Sequence, residues 1–366
     1  MKKRVKNTFS LHHWCGLIAG ILLLAISISG SLLVFHDELD DNFYARGSFL
    51  DAPAQSLRID RSFDKVRAAN PGWEIRVPGL PESDTKALKY ELRQGMQRKW
   101  VYVHPETGEW LHTYNRADKR LTQVLLEMHY TLFAGTFGKV LVLLTGLALL
   151  VLTITGFMLY RKSILKVLLF RQKISVSSKR AFFSSLHRVI GVWSLLFVLL
   201  MSISGVWLGY LVVNSALKKK SATVAVPALP VSVDALLGQV RQQHPDFEVT
   251  YLRFPNSPDG ALSVLGRLQN DPAVYGKFYS GFQINYKTGA VEKVVFVKDA
   301  PIYERALTIL KPLHFGDYAG LPVKILYCFF GLMPGVLSVS GFFIWRMRGK
   351  TTKQKKRKQK ENKVPA

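Results

Sequence analysis

The chain has 366 residues, 48% of them hydrophobic, and a formal net charge of +25. Its apolar residues are gathered into four long runs and its cations crowd the segments between them, so neither a plain soluble globular domain nor a nucleic-acid-binding protein fits. The only cysteines, Cys15 and Cys328, lie inside different runs, which excludes a disulfide framework and a CxxC redox or metal motif.

Residues 1–36 carry a basic start (Lys2, Lys3, Arg4, Lys6) and the first apolar run, 13–36. That run is too long for a signal peptide and has no A-x-A site, so it reads as an uncleaved membrane helix. Residues 37–128 are polar. They suggest a helix over 62–70 ending at Pro71-Gly72, strands over 73–77, 87–92 and 99–104, and a turn at Pro105-Glu106-Thr107-Gly108. Residues 129–160 lead through His129 into the second run, 138–160. A basic loop, 161–187, holds Arg161, Lys162, Lys166, Arg171, Lys173, Lys179 and Arg180, and the third run follows at 188–213. Residues 214–305 repeat the polar pattern, with a helix over 233–243 and strands over 249–254, 261–268, 281–286 and 291–297. The fourth run, 323–346, closes segment 306–346, and residues 347–366 are a basic tail expected to be disordered and held near anionic head groups.

Each run meets the requirement of about 20 residues for crossing a hydrocarbon core. The positive-inside rule places the N-terminus, the 161–187 loop and the tail in the cytoplasm, and both polar segments outside. Lys218, Lys219 and Lys220 oppose this scheme and are outvoted by the other three basic segments. The expected fold class is an α-helical membrane protein with four transmembrane helices, arranged as two parallel two-helix repeats, and two small periplasmic α+β modules.

The repeat is visible in the residues. Leu11-His12 with Gly16 and Ser27-Ile28-Ser29-Gly30 superposes on Leu186-His187 with Gly191 and Ser202-Ile203-Ser204-Gly205 at one constant offset. His129, Gly135, Lys139, Gly146 and Thr153-Ile154-Thr155-Gly156 superpose on His314, Gly320, Lys324, Gly331 and Ser338-Val339-Ser340-Gly341 at a second constant offset. Each half crosses the membrane an even number of times, so the halves are related by a pseudo-two-fold axis along the membrane normal. His12 and His187 then share one depth, and His129 and His314 the other. Two imidazoles facing each other across such an axis can supply both axial ligands of one haem iron, and two such pairs would stack two haems. A single interfacial histidine is more simply a polar spacer, but four at repeat-equivalent positions are harder to explain that way. Zinc is a weaker reading, because neither depth offers a Cys or carboxylate at zinc spacing.

Other residues keep two readings. Arg188, Lys139 and Lys324 suit haem propionates or snorkelling cations equally. Tyr130, Trp14 and Tyr318 suit porphyrin packing or an interfacial aromatic belt. His13 aligns with Arg188 and His36 with Leu211, so neither has a symmetric histidine partner. The glycines and serines of the repeated motifs fit close approach of a macrocycle or of another helix and do not discriminate. No nucleotide-binding fingerprint or hydrolase motif is present.

The LHxxxG start, the S-I-S-G helix ends, the histidines ahead of the second and fourth helices, and Val103-His104-Pro105-Glu106-Thr107-Gly108-Glu109 resemble the PepSY-associated transmembrane family over about residues 10–348. That family includes iron-regulated inner-membrane proteins and di-haem ferric-siderophore reductases. The resemblance implies two b-type haems, a bacterial inner-membrane location, and reduction of a ferric siderophore or other ferric chelate on the periplasmic side. Some relatives carry a fused flavin or NADPH-reductase domain that has no counterpart here, so a separate donor, a quinol or a cytoplasmic reductase, is implied. His13 stands where relatives commonly have arginine. The alternative function is a non-enzymatic membrane sensor or protease regulator acting through its PepSY-like modules.

Overall fold

The computed structural model describes residues 2–43, 47–94, 97–115, 120–218, 226–257, 259–276 and 278–361; Lys219 and Lys220 of the dissenting basic cluster lie outside them. In chain order the main elements are α1 (Lys2–Leu33), α2 (His36–Phe43), α3 (Ile59–Ala68), β1 (Glu74–Val77), β2 (Leu88–Gln94), β3 (Gln97–Val103), β4 (Trp110–Asn115), α4 (Leu121–Thr131), α5 (Gly135–Tyr160), α6 (Ile164–Leu168), α7 (Lys179–Trp193), α8 (Leu195–Leu217), α9 (Val233–Gln243), β5 (Phe247–Arg253), β6 (Ala261–Leu268), β7 (Ser280–Asn285), β8 (Val291–Val295), α10 (Ile302–Phe315), α11 (Gly320–Gly331) and α12 (Met333–Glu361). They form two compact units, one of Met1–Val34, Leu125–Leu217 and Leu313–Ala366, the other of Phe35–Val124 and Lys218–Pro312.

The first unit is a helix bundle. Four spans among the described residues are long and apolar enough to cross a membrane: Val5–Leu33, Gly135–Leu168, Leu195–Leu217 and Gly320–Met347. Helix α1 packs on α5 and α12, α5 on α8, and α12 on α7. The third span starts later than its hydropathy suggests, because the chain breaks at Ser194 between α7 and α8. The fourth is broken at Leu332, beside Pro334, which has no N–H to give. There the Ser27 hydroxyl enters the ladder: it accepts from Gly335 N–H (3.1 Å) and donates to the Gly331 carbonyl (2.5 Å). Backbone groups freed inside a bilayer need such a partner. The basic tail, expected to be disordered, continues α12 as far as Glu361; its lysines, glutamines and arginines are good helix formers.

The two polar segments do not fold as two separate modules. Among the described residues eight strands form one antiparallel sheet in the order β4-β3-β2-β1-β5-β6-β7-β8. The halves meet where β1 pairs with β5, placing Arg76 opposite Arg253. Like charges across a strand pair repel, and Glu74 bridges them, 2.6 Å from Arg76 and 3.2 Å from Arg253. Helices α3 and α9 share one core with the sheet, in which Ile59, Phe63 and Val66 join Leu252, Phe254 and Val264. The N-termini of these helices cap each other. Asp234 accepts from Ile59 N–H (2.8 Å) and Asp60 N–H (3.2 Å), and Asp60 accepts from Val233 N–H (2.8 Å), Asp234 N–H (3.3 Å) and the Ser232 hydroxyl. Burial raises the Asp234 carboxyl above the ordinary range, against the pull of those N–H groups and with help from the neighbouring Asp60.

Strand β4 has no counterpart among the sequence expectations. Its run Trp-Leu-His-Thr-Tyr-Asn alternates poorly, and its place is set by pairing with β3. The turn before it gives His104 a definite task. His104 Nδ1 accepts from Glu106 N–H (3.2 Å) and Thr107 N–H (3.3 Å), as Asn285 Oδ1 accepts from Lys287 (2.9 Å) and Thr288 (3.2 Å) in the β7–β8 turn. Gly108 and Gly289 close the two turns at φ +68° and +76°. His104→Ala is expected to cost about 1–2 kcal/mol by orphaning both donors, and His104→Asn to restore most of it. Thermal unfolding of the three proteins checks this; equal stability of the alanine and asparagine variants would contradict it.

Candidate functional site

The bundle brings the four repeat-placed histidines together in the expected pairs. The His12 and His187 ring centres lie 6.3 Å apart with planes at 88°, and those of His129 and His314 lie 6.2 Å apart at 51°. Two imidazoles bound on opposite sides of one metal, with bonds of about 2 Å and each nitrogen roughly 1 Å from its ring centre, have centres about 6 Å apart. Both pairs match that span. From His12 to Ser29, which meets the second pair, α1 rises about 25 Å at 1.5 Å per residue. The two sites therefore lie near opposite ends of the bundle.

Each histidine is seated in a socket on the other spanning helix of its own half. His12 Nδ1 lies 2.9 Å from Thr155 Oγ1, His187 Nδ1 2.9 Å from Ser340 Oγ, and His314 Nδ1 3.0 Å from Ser204 Oγ. His129 Nδ1 lies 2.9 Å from the Ile26 carbonyl and 3.4 Å from Ser29 Oγ. A carbonyl only accepts, so at His129 the proton is on Nδ1. The next residue of each socket is glycine. A Cβ on Gly30 would come within 2.6 Å of His129 and one on Gly205 within 3.2 Å of His314, against 3.4 Å at Gly156 and 3.6 Å at Gly341. Glycine is thus a steric need for the His129/His314 pair and a looser one for the other. The four hydroxyl residues are the site components that sequence reasoning missed. Their signal, the repeated hydroxyl-glycine ending of each span, was in view but suited helix packing equally well.

With Nδ1 engaged, Nε2 is the nitrogen left for a ligand. Among the described residues no group of three or more His, Cys, Asp or Glu side chains gathers. The donor set at each end is two imidazoles, which suits a planar group that brings its own equatorial donors and falls short of the four ligands of a structural zinc. The chain thus fits two haems on its own chemistry.

The remaining candidates fall as follows. His13 stacks on Phe9 at 5.9 Å and lies edge-on to Trp14, so it belongs to neither pair. His36 Nε2 lies 3.0 Å from Asp37 Oδ1 in the sheet-bearing unit. Arg188 donates from Nε to the Ser184 carbonyl at 3.0 Å and sits 5.8 Å from the Tyr160 ring. Tyr130 has the Lys139 ammonium 6.0 Å from its ring. His112 lies edge-on to Tyr114, and His244 packs on Phe282 and Phe296, both within the sheet-bearing unit.

A family model described as the PepSY-associated TM region matches residues 9–348. The chain belongs to the PepSY-associated transmembrane family. It is also 24% identical over 256 residues to an uncharacterized protein of Pseudomonas aeruginosa, an alignment covering 62% of this chain and 63% of that relative. The chain thus aligns with less than two thirds of the relative's length. The family match and the four apolar spans together make this a multi-pass membrane protein in contact with lipid.

Proposed function

We propose that this family member is a di-haem b-type electron-transfer protein of the bacterial inner membrane. In this reading it reduces a ferric siderophore or other ferric chelate at the periplasmic face, in the service of iron uptake. The observation that carries it is the pair of facing imidazoles at each end of the bundle, at the span of bis-histidine ligation, with every Nδ1 already engaged. His12 and His187 would hold the inner haem and His129 and His314 the outer one. When bound, the haems supply one-electron redox chemistry at each face. Arg188 and Tyr130, next in sequence to His187 and His129, would meet the periphery of each group. Reduction would labilise the chelate because Fe(II) is a softer and weaker partner for hard oxygen ligands. The donor would be a separate quinol or cytoplasmic reductase.

The purified protein is expected to show the absorption of low-spin bis-histidine haem and about two haems per chain. In cells, a cysteine replacing Ser83 should label from outside and one replacing Thr352 only after the membrane is breached. A haem-free protein from haem-replete cells would overturn the reading and favour a sensor or protease regulator of the same topology. Labelling of the Thr352 position from outside would overturn the orientation.

A further inference from the structure

We infer that Thr155, Ser204 and Ser340, with Ser29 as an auxiliary acceptor behind the Ile26 carbonyl, are positioning residues of the two ligand pairs, accepting the Nδ1–H hydrogen bond of the histidine each one meets so that Nε2 faces the partner histidine and the ring plane is fixed. This rests on the di-haem reading and extends it to four residues outside the ligand set.

The hydroxyl protons already have acceptors in their own helices. Thr155 Oγ1 donates to the Val151 carbonyl at 2.7 Å, Ser204 Oγ to Leu200 at 2.7 Å, Ser29 Oγ to Ala25 at 2.8 Å and Ser340 Oγ to Leu337 at 3.0 Å. A hydroxyl that has donated its proton meets a histidine as an acceptor. The histidine must then carry its proton on Nδ1, which leaves the Nε2 lone pair for a metal. All four hydroxyl residues are buried, Thr155 the most open at 6% exposure. Water therefore does not compete for the bond. The same bond, with the glycine that follows it, leaves the imidazole little freedom to rotate. The sockets are graded. Thr155, Ser204 and Ser340 bond at 2.9–3.0 Å, whereas Ser29 stands at 3.4 Å behind the Ile26 carbonyl. Ser29 is the least important of the four.

An acceptor at Nδ1–H makes an axial imidazole a stronger donor and stabilises ferric over ferrous iron. Removing the acceptor raises the midpoint potential of that site alone. The decisive variant is Thr155→Val, which keeps the shape and loses the hydroxyl, with Thr155→Ser as the conservative rescue. Both are compared with the parent, as purified full chains, by redox titration followed by electron paramagnetic resonance; His187→Ala assigns the inner signal by its loss.

Thr155→Val is expected to raise the inner potential, to alter the ferric line shape of that site, and to weaken haem retention there by about 10–100-fold. The outer signal should not move, and Thr155→Ser should behave as the parent. Ser340→Ala should reproduce the inner shift from the other ligand, and Ser29→Ala should shift the outer site least. If Thr155→Val matches the parent in potential, line shape and retention, the inference fails while the di-haem reading stands. If Thr155→Ser departs from the parent as far as Thr155→Val does, restoring the hydroxyl does not restore the site, and the inference also fails. A parent without low-spin haem removes the di-haem reading and this inference with it.

Discussion

His314→Ala is expected to halve the haem per chain and abolish reduction of ferric chelates, while the inner site still accepts electrons from a chemical reductant. The size of the effect follows from the donor set. A b-type haem is not covalently attached, so its axial bonds carry much of its retention, and each pair here has only two imidazoles. Among the described residues no third metal-binding side chain stands by to replace His314. The Ser204-Gly205 socket would be left facing a void. His187→Ala is the mirror experiment: it should remove the inner haem and leave an outer one that reductants can still fill from the periplasm. His13→Ala and His36→Ala should keep the parental stoichiometry, since one stacks on Phe9 and the other lies beside Asp37. Haem per protein with a redox titration of each variant decides the matter. Loss of a haem in His13→Ala with both retained in His12→Ala would place the inner ligand one residue along; loss of the outer haem in His36→Ala would break the symmetric pairing.

Phe254→Ala is expected to destabilise the sheet-bearing unit by about 3–5 kcal/mol, the usual cost of truncating a buried phenylalanine. Phe254, at the end of β5, stacks on Phe63 of α3 with ring centres 4.1 Å apart, and the two are 1% and 2% exposed. The contact joins the second polar segment to the first. Both segments should therefore unfold together, and Phe63→Ala combined with Phe254→Ala should cost less than the two single changes added. Asp60→Ala should cost about 1 kcal/mol or somewhat more, because its carboxylate serves the opposite helix terminus. Hydrogen exchange across the unit checks these expectations. Protection lost only within residues 226–297, with 47–115 unaffected, would show that the segments are independent after all.

Much of the bundle was legible because a bilayer is a strict solvent. It demands about 20 consecutive apolar residues for each crossing, and it makes a polar residue repeated at one depth conspicuous. The four runs and the four histidines followed from that, and the constant offsets between halves assigned His12 to His187 and His129 to His314 before any contact was known. The sheet was less legible. β1 is four residues, Glu-Ile-Arg-Val, whose alternation fits any antiparallel neighbour; nothing local says that one edge pairs with β5 of the other segment. Strand β4 and the task of His104 were hidden for a related reason, since one depends on its partner strand and the other on turn geometry.

The sequence by itself determined the membrane class, the repeated motifs and which histidines come together, because these rest on hydropathy and spacing along one chain. Only the tertiary structure showed what the repeated serines, threonines and glycines touch. Their meaning is a contact between residues far apart in the chain, such as His12 with Thr155 or His187 with Ser340. Helix packing alone would also call for small polar residues at these positions, so the histidine contacts could not be read from spacing along the chain.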